Sequence, residues 1–193
     1  MIFRVTGQHA AQKTVKDVTK FTSFDQNLHF IPQNLQNFFP NLSKIEIVAS
    51  NLQKLSPVKN LKWMKIIGNI LGAIENFSFD DALELDFIDI SYNKITKIPE
   101  NFFSNLKKLS FLNLNGNFLT SFGENLLPAA NSIEEFYADE NKLQKIANNL
   151  IKNLKSAKII ALVGNPCVDN KFNRSVHTPK KFMELYGEVD LNC

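Results

Sequence analysis

The chain has 193 residues, 44% of them hydrophobic and 21% charged, so it can bury a continuous core as one domain. A net charge of +3, a pI near 8.8 and dispersed lysines argue against a nucleic-acid partner. No apolar run reaches the roughly 18–20 residues that a membrane-spanning helix needs.

Residues 1–17 hold one short apolar alternation, Ile2 to Val5, followed by a polar connection. They are expected to form an edge strand and loop capping the first turn of the fold. The N-terminal stretch MIFRVTGQHAAQKTVKDVTK lacks the apolar segment of a secretory signal. The chain is therefore expected to be intracellular, or a mature or truncated form.

From Val18 onward one pattern recurs with a period of about 24 residues. Its clearest statement is Leu85, Ile88, Ile90, Asn93, Ile95 and Ile98, returning as Leu109, Leu112, Leu114, Asn117, Leu119 and Phe122. Forward steps of the same length reach Ile133, Phe136, Ala138, Asn141, Leu143 and Ile146, then Ala157, Ile160, Leu162, Asn165 and Cys167. A backward step reaches Leu61, Met64, Ile66, Asn69, Leu71 and Ile74, and a shorter one reaches Leu42, Ile45, Ile47, Ser50, Leu52 and Leu55. A last full step reaches Val18, Phe21, Ser23, Gln26, Leu28 and Ile31. LxxLxLxxNxL, repeated in phase, is the leucine-rich-repeat pattern. It predicts an α/β leucine-rich-repeat solenoid of about seven turns over residues 18–167, with a curved parallel sheet on the concave face and loop or 3-10 returns on the convex face. One short strand cannot bury its apolar face alone, so successive turns must stack.

The ninth position reads Gln26, Ser50, Asn69, Asn93, Asn117, Asn141 and Asn165. At this corner the chain leaves the strand, and its backbone groups need a side chain that both donates and accepts. The row is therefore read as a structural ladder. Gly68, Gly116 and Gly164 stand just before ladder positions, where a tight corner explains them. Phe79, Phe103, Leu127 and Ile151 recur at one return position and are expected to fill the interior, with Gln36 in that place in the first turn.

Residues 168–193 are read as a C-terminal cap. Thr178-Pro179 is a helix start, followed by an apolar stripe of Phe182, Met183, Leu185 and Tyr186. Such a cap would cover the open edge of the last strand. The two cysteines are Cys167, in a ladder-side Leu position, and Cys193 at the chain end. A disulfide between them would close a short C-terminal loop, stabilise the cap by roughly 3–4 kcal/mol and imply an oxidising compartment. The alternative is one buried thiol and one terminal thiol.

Repeats of this length with returns such as IPENFF, and a last repeat ending Asn165-Pro166-Cys167, resemble extracellular leucine-rich-repeat domains, the Toll-like ectodomains among them. The first turns, FTSFDQNLHFIPQNLQNFFPNLSKIEIVASNLQKL, resemble secreted leucine-rich-repeat proteins of flies and midges. The resemblance covers about residues 18 to 167. It implies extracellular immune, adhesion or developmental recognition. The usual cysteine-containing segment before the first repeat is missing, and the four-cysteine C-terminal flank is reduced to two. Three sequons, at Asn41, Asn76 and Asn173, are glycosylation candidates; an Asn-rich chain shows about two by chance.

Enzymatic and metal-binding signals are poor. His9, His29 and His177 are scattered and not spaced as metal ligands, and no phosphate-cradling glycine loop is present. The acidic pairs Asp80-Asp81, Glu134-Glu135 and Asp139-Glu140 suit solvated positions better than acid and base roles. No cofactor is expected.

Residues in a strand alternate in and out. With the fourth and sixth repeat positions buried, the third, fifth and seventh face the concave side. The third reads Lys20, Lys44, Trp63, Phe87, Phe111, Glu135 and Ile159; the fifth reads Thr22, Glu46, Lys65, Asp89, Asn113, Tyr137 and Ala161. Trp63, Phe87 and Phe111 thus fall on neighbouring strands about 5 Å apart. They form an expected aromatic strip with Tyr92 and Tyr137 nearby, Lys65 toward one end and Asp89, Glu135, Asp139 and Glu140 toward the other. An apolar strip ringed by charge is the usual anatomy of a protein interface. The expected function is non-enzymatic recognition of a protein or peptide. Alternatives are a cytosolic scaffold or regulatory subunit, or a carrier holding sugar rings or lipid on the strip.

Overall fold

Alternating apolar residues in each repeat form a short strand, and the strands stack into one sheet. A computed structural model describes residues 14–72, 74, 77–127, 132–154, 156–166 and 191–192. A 3-10 turn, Val15–Asp17, precedes the first strand, closed by a capping box in which Thr14 and Asp17 exchange hydrogen bonds. The elements after it are β1 (Lys20–Phe24), α1 (Leu35–Phe38), β2 (Lys44–Val48), β3 (Trp63–Ile67), β4 (Phe87–Asp89), β5 (Phe111–Asn113), β6 (Ser121–Phe122), β7 (Glu135–Tyr137), β8 (Lys145–Ile146), α2 (Asn148–Asn153), β9 (Ile159–Ala161) and β10 (Leu191–Asn192). The main sheet has seven parallel strands in the order β1-β2-β3-β4-β5-β7-β9. A small second sheet, β10-β8-β6, lies in the returns, with β10 antiparallel to β8.

The pairing follows the sequence register, with Trp63 opposite Phe87 and Phe87 opposite Phe111. The shortened step holds too, since Lys44 lies opposite Trp63. Fourth and sixth positions such as Ile45, Ile47, Met64, Ile66, Ile88, Ile90, Leu112 and Leu114 are buried. They meet Phe79, Phe103 and Leu127 from the returns in one continuous core. In the first turn the interior place is taken by Leu35, the buried residue of α1 and one residue before Gln36; Gln36 keeps a buried amide nitrogen without a partner.

The ladder is the structural seam. Asn117 shows its geometry: its Oδ1 accepts the Ile95 N–H of the preceding turn at 3.1 Å, and its Nδ2 donates to Ile90, Leu114 and Asn115 carbonyls at 3.0–3.2 Å. Asn93, Asn141 and Asn165 repeat this arrangement, and Asn69 bridges to Ser50, Leu52 and Ile47. Ser50 ends the row with its hydroxyl on the Val48 carbonyl and beside Ser23. Gln26 departs from the expected ladder role. It is exposed, and its amide donates back to the Phe24 carbonyl; among the described residues no earlier turn presents a buried corner for it to bridge.

The residue before each ladder position is left-handed: Asp25, Ala49, Gly68, Tyr92, Gly116, Glu140 and Gly164 have φ between 49° and 75°. Glycine is required at Gly116 because a Cβ there would stand 2.5 Å from the Tyr92 ring.

Cys167, Cys193, Asn76, Asn173, the Ile2 to Val5 strand and the helix expected after Pro179 lie outside the described residues. Asn41 is exposed, and its Nδ2 donates to the Lys16 carbonyl at 2.8 Å.

Replacing Asn117 by Ala strands the buried Ile95 N–H, whereas the Ile90, Leu114 and Asn115 carbonyls each keep a second donor, in Asn93, Asn141 and the Tyr92 N–H. The expected loss is about 1–3 kcal/mol of stability in urea denaturation; an unchanged midpoint would show that the seam does not depend on this amide.

Candidate functional site

The third position of each strand points away from the core, and its side chains meet across the sheet. Trp63 stacks on Phe87 with centroids 5.0 Å apart and planes at 16°. Phe87 stacks on Phe111 at 4.3 Å and 6°. Tyr137 extends the row, 5.5 Å from Phe111 and tilted by 44°. These separations are close to the strand spacing, so each ring turns its faces largely toward its neighbours and its edge toward solvent. At the other end the Lys20 ammonium lies 5.6 Å from the Trp63 ring, reaching across β2. All four aromatics are half-buried.

Charge is arranged around the row. Glu46 receives Lys20 on one oxygen and Lys65 on the other, the latter at 3.3 Å. The hydrogen bond from Lys20 is the main reason its carboxyl titrates below the usual range. At the opposite end the Tyr137 hydroxyl donates to Glu135 at 2.8 Å. Burial first, and then that bond and the neighbouring carboxylate charges, push the Tyr137 phenol up to about 12.

Three residues expected on the strip are placed otherwise. Asp89 is buried, only 6% exposed, because its carboxylate turns back to accept the Ser91 N–H and hydroxyl at 3.0 and 2.6 Å. Tyr92 sits at the left-handed corner with its ring over Gly116, 54% exposed and off the aromatic row. Asp139 is half-buried and takes the Val163 N–H at 2.7 Å, while its own N–H goes to Asn115 at 2.6 Å. Burial raises its carboxyl above the ordinary value despite that bond. Asp89 and Asp139 thus shape the corner of the sheet. Lys20, by contrast, belongs to the site although only its series position was visible in the sequence. Among the described residues no group of three His, Cys, Asp or Glu is placed to hold a metal, and no helix is long and apolar enough to cross a membrane.

A "Leucine rich repeat" family model matches residues 59–119. The fold is that of leucine-rich-repeat proteins. Among solved structures the chain is similar to a pollen receptor kinase 3, at 21% identity and a TM-score of 0.55, over 66% of this chain and 64% of that one. It is similar to a chain in the octameric complex of latrophilin 3, Unc5D and FLRT2, the last contributing leucine-rich repeats, at 21% identity and a TM-score of 0.59, over 75% and 45%. It is also similar to a chain of the Toll–Spatzle complex, described as a hub in Drosophila development and innate immunity, at 17% identity and a TM-score of 0.58, over 78% and 24%. The chain thus spans less than two thirds of each of these chains. No curated protein matches it in sequence.

Because the folded Tyr137 holds its proton more tightly than an unfolded tyrosine at 10.0, its contribution to stability is complete below about pH 10 and lost as pH rises through about 12. The near-ultraviolet absorbance difference between the parent and Tyr137→Phe should show phenolate appearing near 12, and Glu135→Gln should move it down. A midpoint at the ordinary value in the folded protein would contradict the buried, carboxylate-bonded hydroxyl.

Proposed function

We propose that the protein is a non-enzymatic recognition module that binds a protein or peptide on its concave sheet, centred on Trp63, Phe87, Phe111 and Tyr137. The observation that carries this reading is the unbroken aromatic row across four neighbouring strands, flanked by Lys20 and Lys65 at one end and Glu135 at the other. Aromatic anchors with a charged rim concentrate binding energy in a small central area. A sugar ligand suits the row less well, since stacking on a sugar needs a free ring face and these faces are turned to one another.

The setting we propose is extracellular, in immune, adhesion or developmental recognition. The support is likeness of fold to the chains named above and the resemblance of the repeats to secreted ones. In that setting Cys167 and Cys193 are bonded. β10 brings Asn192, the residue before Cys193, beside Lys145 in the sixth turn. Intact mass with and without reductant, on protein from its native source, should differ by two hydrogens; equal masses with two free thiols would favour a cytosolic scaffold.

Phe87→Ala should fold, losing stacking of about 0.5–1.5 kcal/mol per neighbour, while affinity for a partner from the native source falls by about 2 kcal/mol or more. Leu112→Ala, whose side chain is fully buried on the adjacent strand, should instead cost about 2–5 kcal/mol of stability. A Phe87→Ala protein that binds as tightly as the parent would remove the strip from the interface.

A further inference from the structure

The concave face is electrically polar along the stack. On its third, fifth and seventh positions the first three strands carry Lys20, Lys44 and Lys65 against the single Glu46. The strand β7 carries Glu135 and, just beyond it, Asp139 and the corner Glu140, with no cation at those positions. Between these poles the face is aromatic, and the one carboxylate there, Asp89, is buried and hydrogen-bonded inward. The poles differ in how firmly they are held. Lys20 and Lys65 share Glu46, whereas Lys44 is exposed and makes no ion pair among the described residues. Among the described residues Glu135 accepts the neutral Tyr137 hydroxyl, with the charge of Lys158, itself paired with Glu134, nearby, and Glu140 is exposed. Each pole therefore keeps charge that nothing on the face neutralises.

The shape between the poles narrows the class of partner. The aromatic row is one side chain deep and runs across the strands, and β2 to β7 is four strand spacings, about 19 Å. An extended chain covers that distance with about six residues. Ring edges carry positive partial charge and offer apolar contact, so they suit both the carbonyl oxygens and the apolar side chains of an extended segment.

We propose that the concave face takes an extended peptide segment of a partner protein, lying across the strands, with acidic residues over Lys20 and Lys44, basic residues over Glu135 and Glu140, and apolar residues on Trp63, Phe87 and Phe111 between them. This rests on the recognition function proposed above and adds the order of charge in the ligand. Complementary poles fix register and disfavour segments of uniform charge.

The test uses labelled synthetic peptides of about ten residues, enough to span the row when extended, sharing a leucine and phenylalanine centre. Their ends are acidic at one and basic at the other, both acidic, both basic, or uncharged. Fluorescence anisotropy against the full chain should show the mixed-pole peptide binding at least tenfold tighter than the others. Lys20→Glu with Lys44→Glu should turn the preference toward the peptide with two basic ends, and Phe87→Ala should weaken every peptide. Lys44→Glu alone serves where thermal melting shows the double variant unfolded, since among the described residues Lys44 has no ion-pair partner to lose. If uncharged ends bind as tightly as mixed ends and still depend on Phe87, the polarity is overturned and the strip stands. If no peptide binds, or binding ignores Phe87, both fall. A dimer of the protein alone in sedimentation, dissolved by Lys44→Glu, would assign the face to a second copy and overturn the proposal.

Discussion

The fold depends on one buried amide in each turn from Asn69 to Asn165. A strand of three to five residues has too little edge to hold itself, and the corner where it ends exposes backbone groups that the next turn would bury. Asparagine solves both problems by accepting an N–H from the turn before while donating to carbonyls of both turns. Removing it costs more than an exposed hydrogen bond would, since the accepted N–H is left buried and unpaired even though the carbonyls keep other donors. The left-handed residue that precedes each ladder position aims the chain into this corner, and Gly116 sits under the Tyr92 ring of the previous turn while Gly164 packs against the Glu140 backbone.

The ladder also creates the candidate site, through register. Since each turn is pinned at the same place, residues one repeat apart stand directly opposite, and a slip of one residue would exchange inner and outer faces. Three aromatics at the third position are thereby forced into a stack at strand spacing. Mutual stacking leaves ring edges outward, with lysines and carboxylates at opposite ends. Recognition by edges and poles is thus a consequence of the repeat geometry rather than of a separately built pocket.

The same regularity decides how much was legible in the sequence. The strands, the inward rows, the ladder from Ser50 to Asn165 and the side-by-side placement of Trp63, Phe87 and Phe111 are all statements about period, and period survives without coordinates. Departures came where a side chain's reach or local bonding decides. Asp89 occupies an outward position by count, yet a carboxylate two residues from a serine N–H turns back to it. Lys20 reaches a ring two strands away, which no spacing encodes. Gln26 fails as a ladder residue because its amide bonds locally to the Phe24 carbonyl, in the first turn of the described residues, where the pattern continues but the buried corner does not. The two-residue strands β6 and β8 and the short helices α1 and α2 carry too few residues for a periodic signal.

Trp63 is the only tryptophan in the chain, so its fluorescence reports on the strip alone. The central claim is that this ring stands on an open concave face beside lysines, available to a ligand. Quenching of Trp63 in the free, folded protein tests that without any partner. Iodide, drawn in by Lys20 and Lys44, should quench well above caesium, with the difference shrinking in Lys44→Glu and at high salt. Emission shielded from both ions until the protein unfolds would mean that the ring is covered, and would contradict the concave strip as a binding surface.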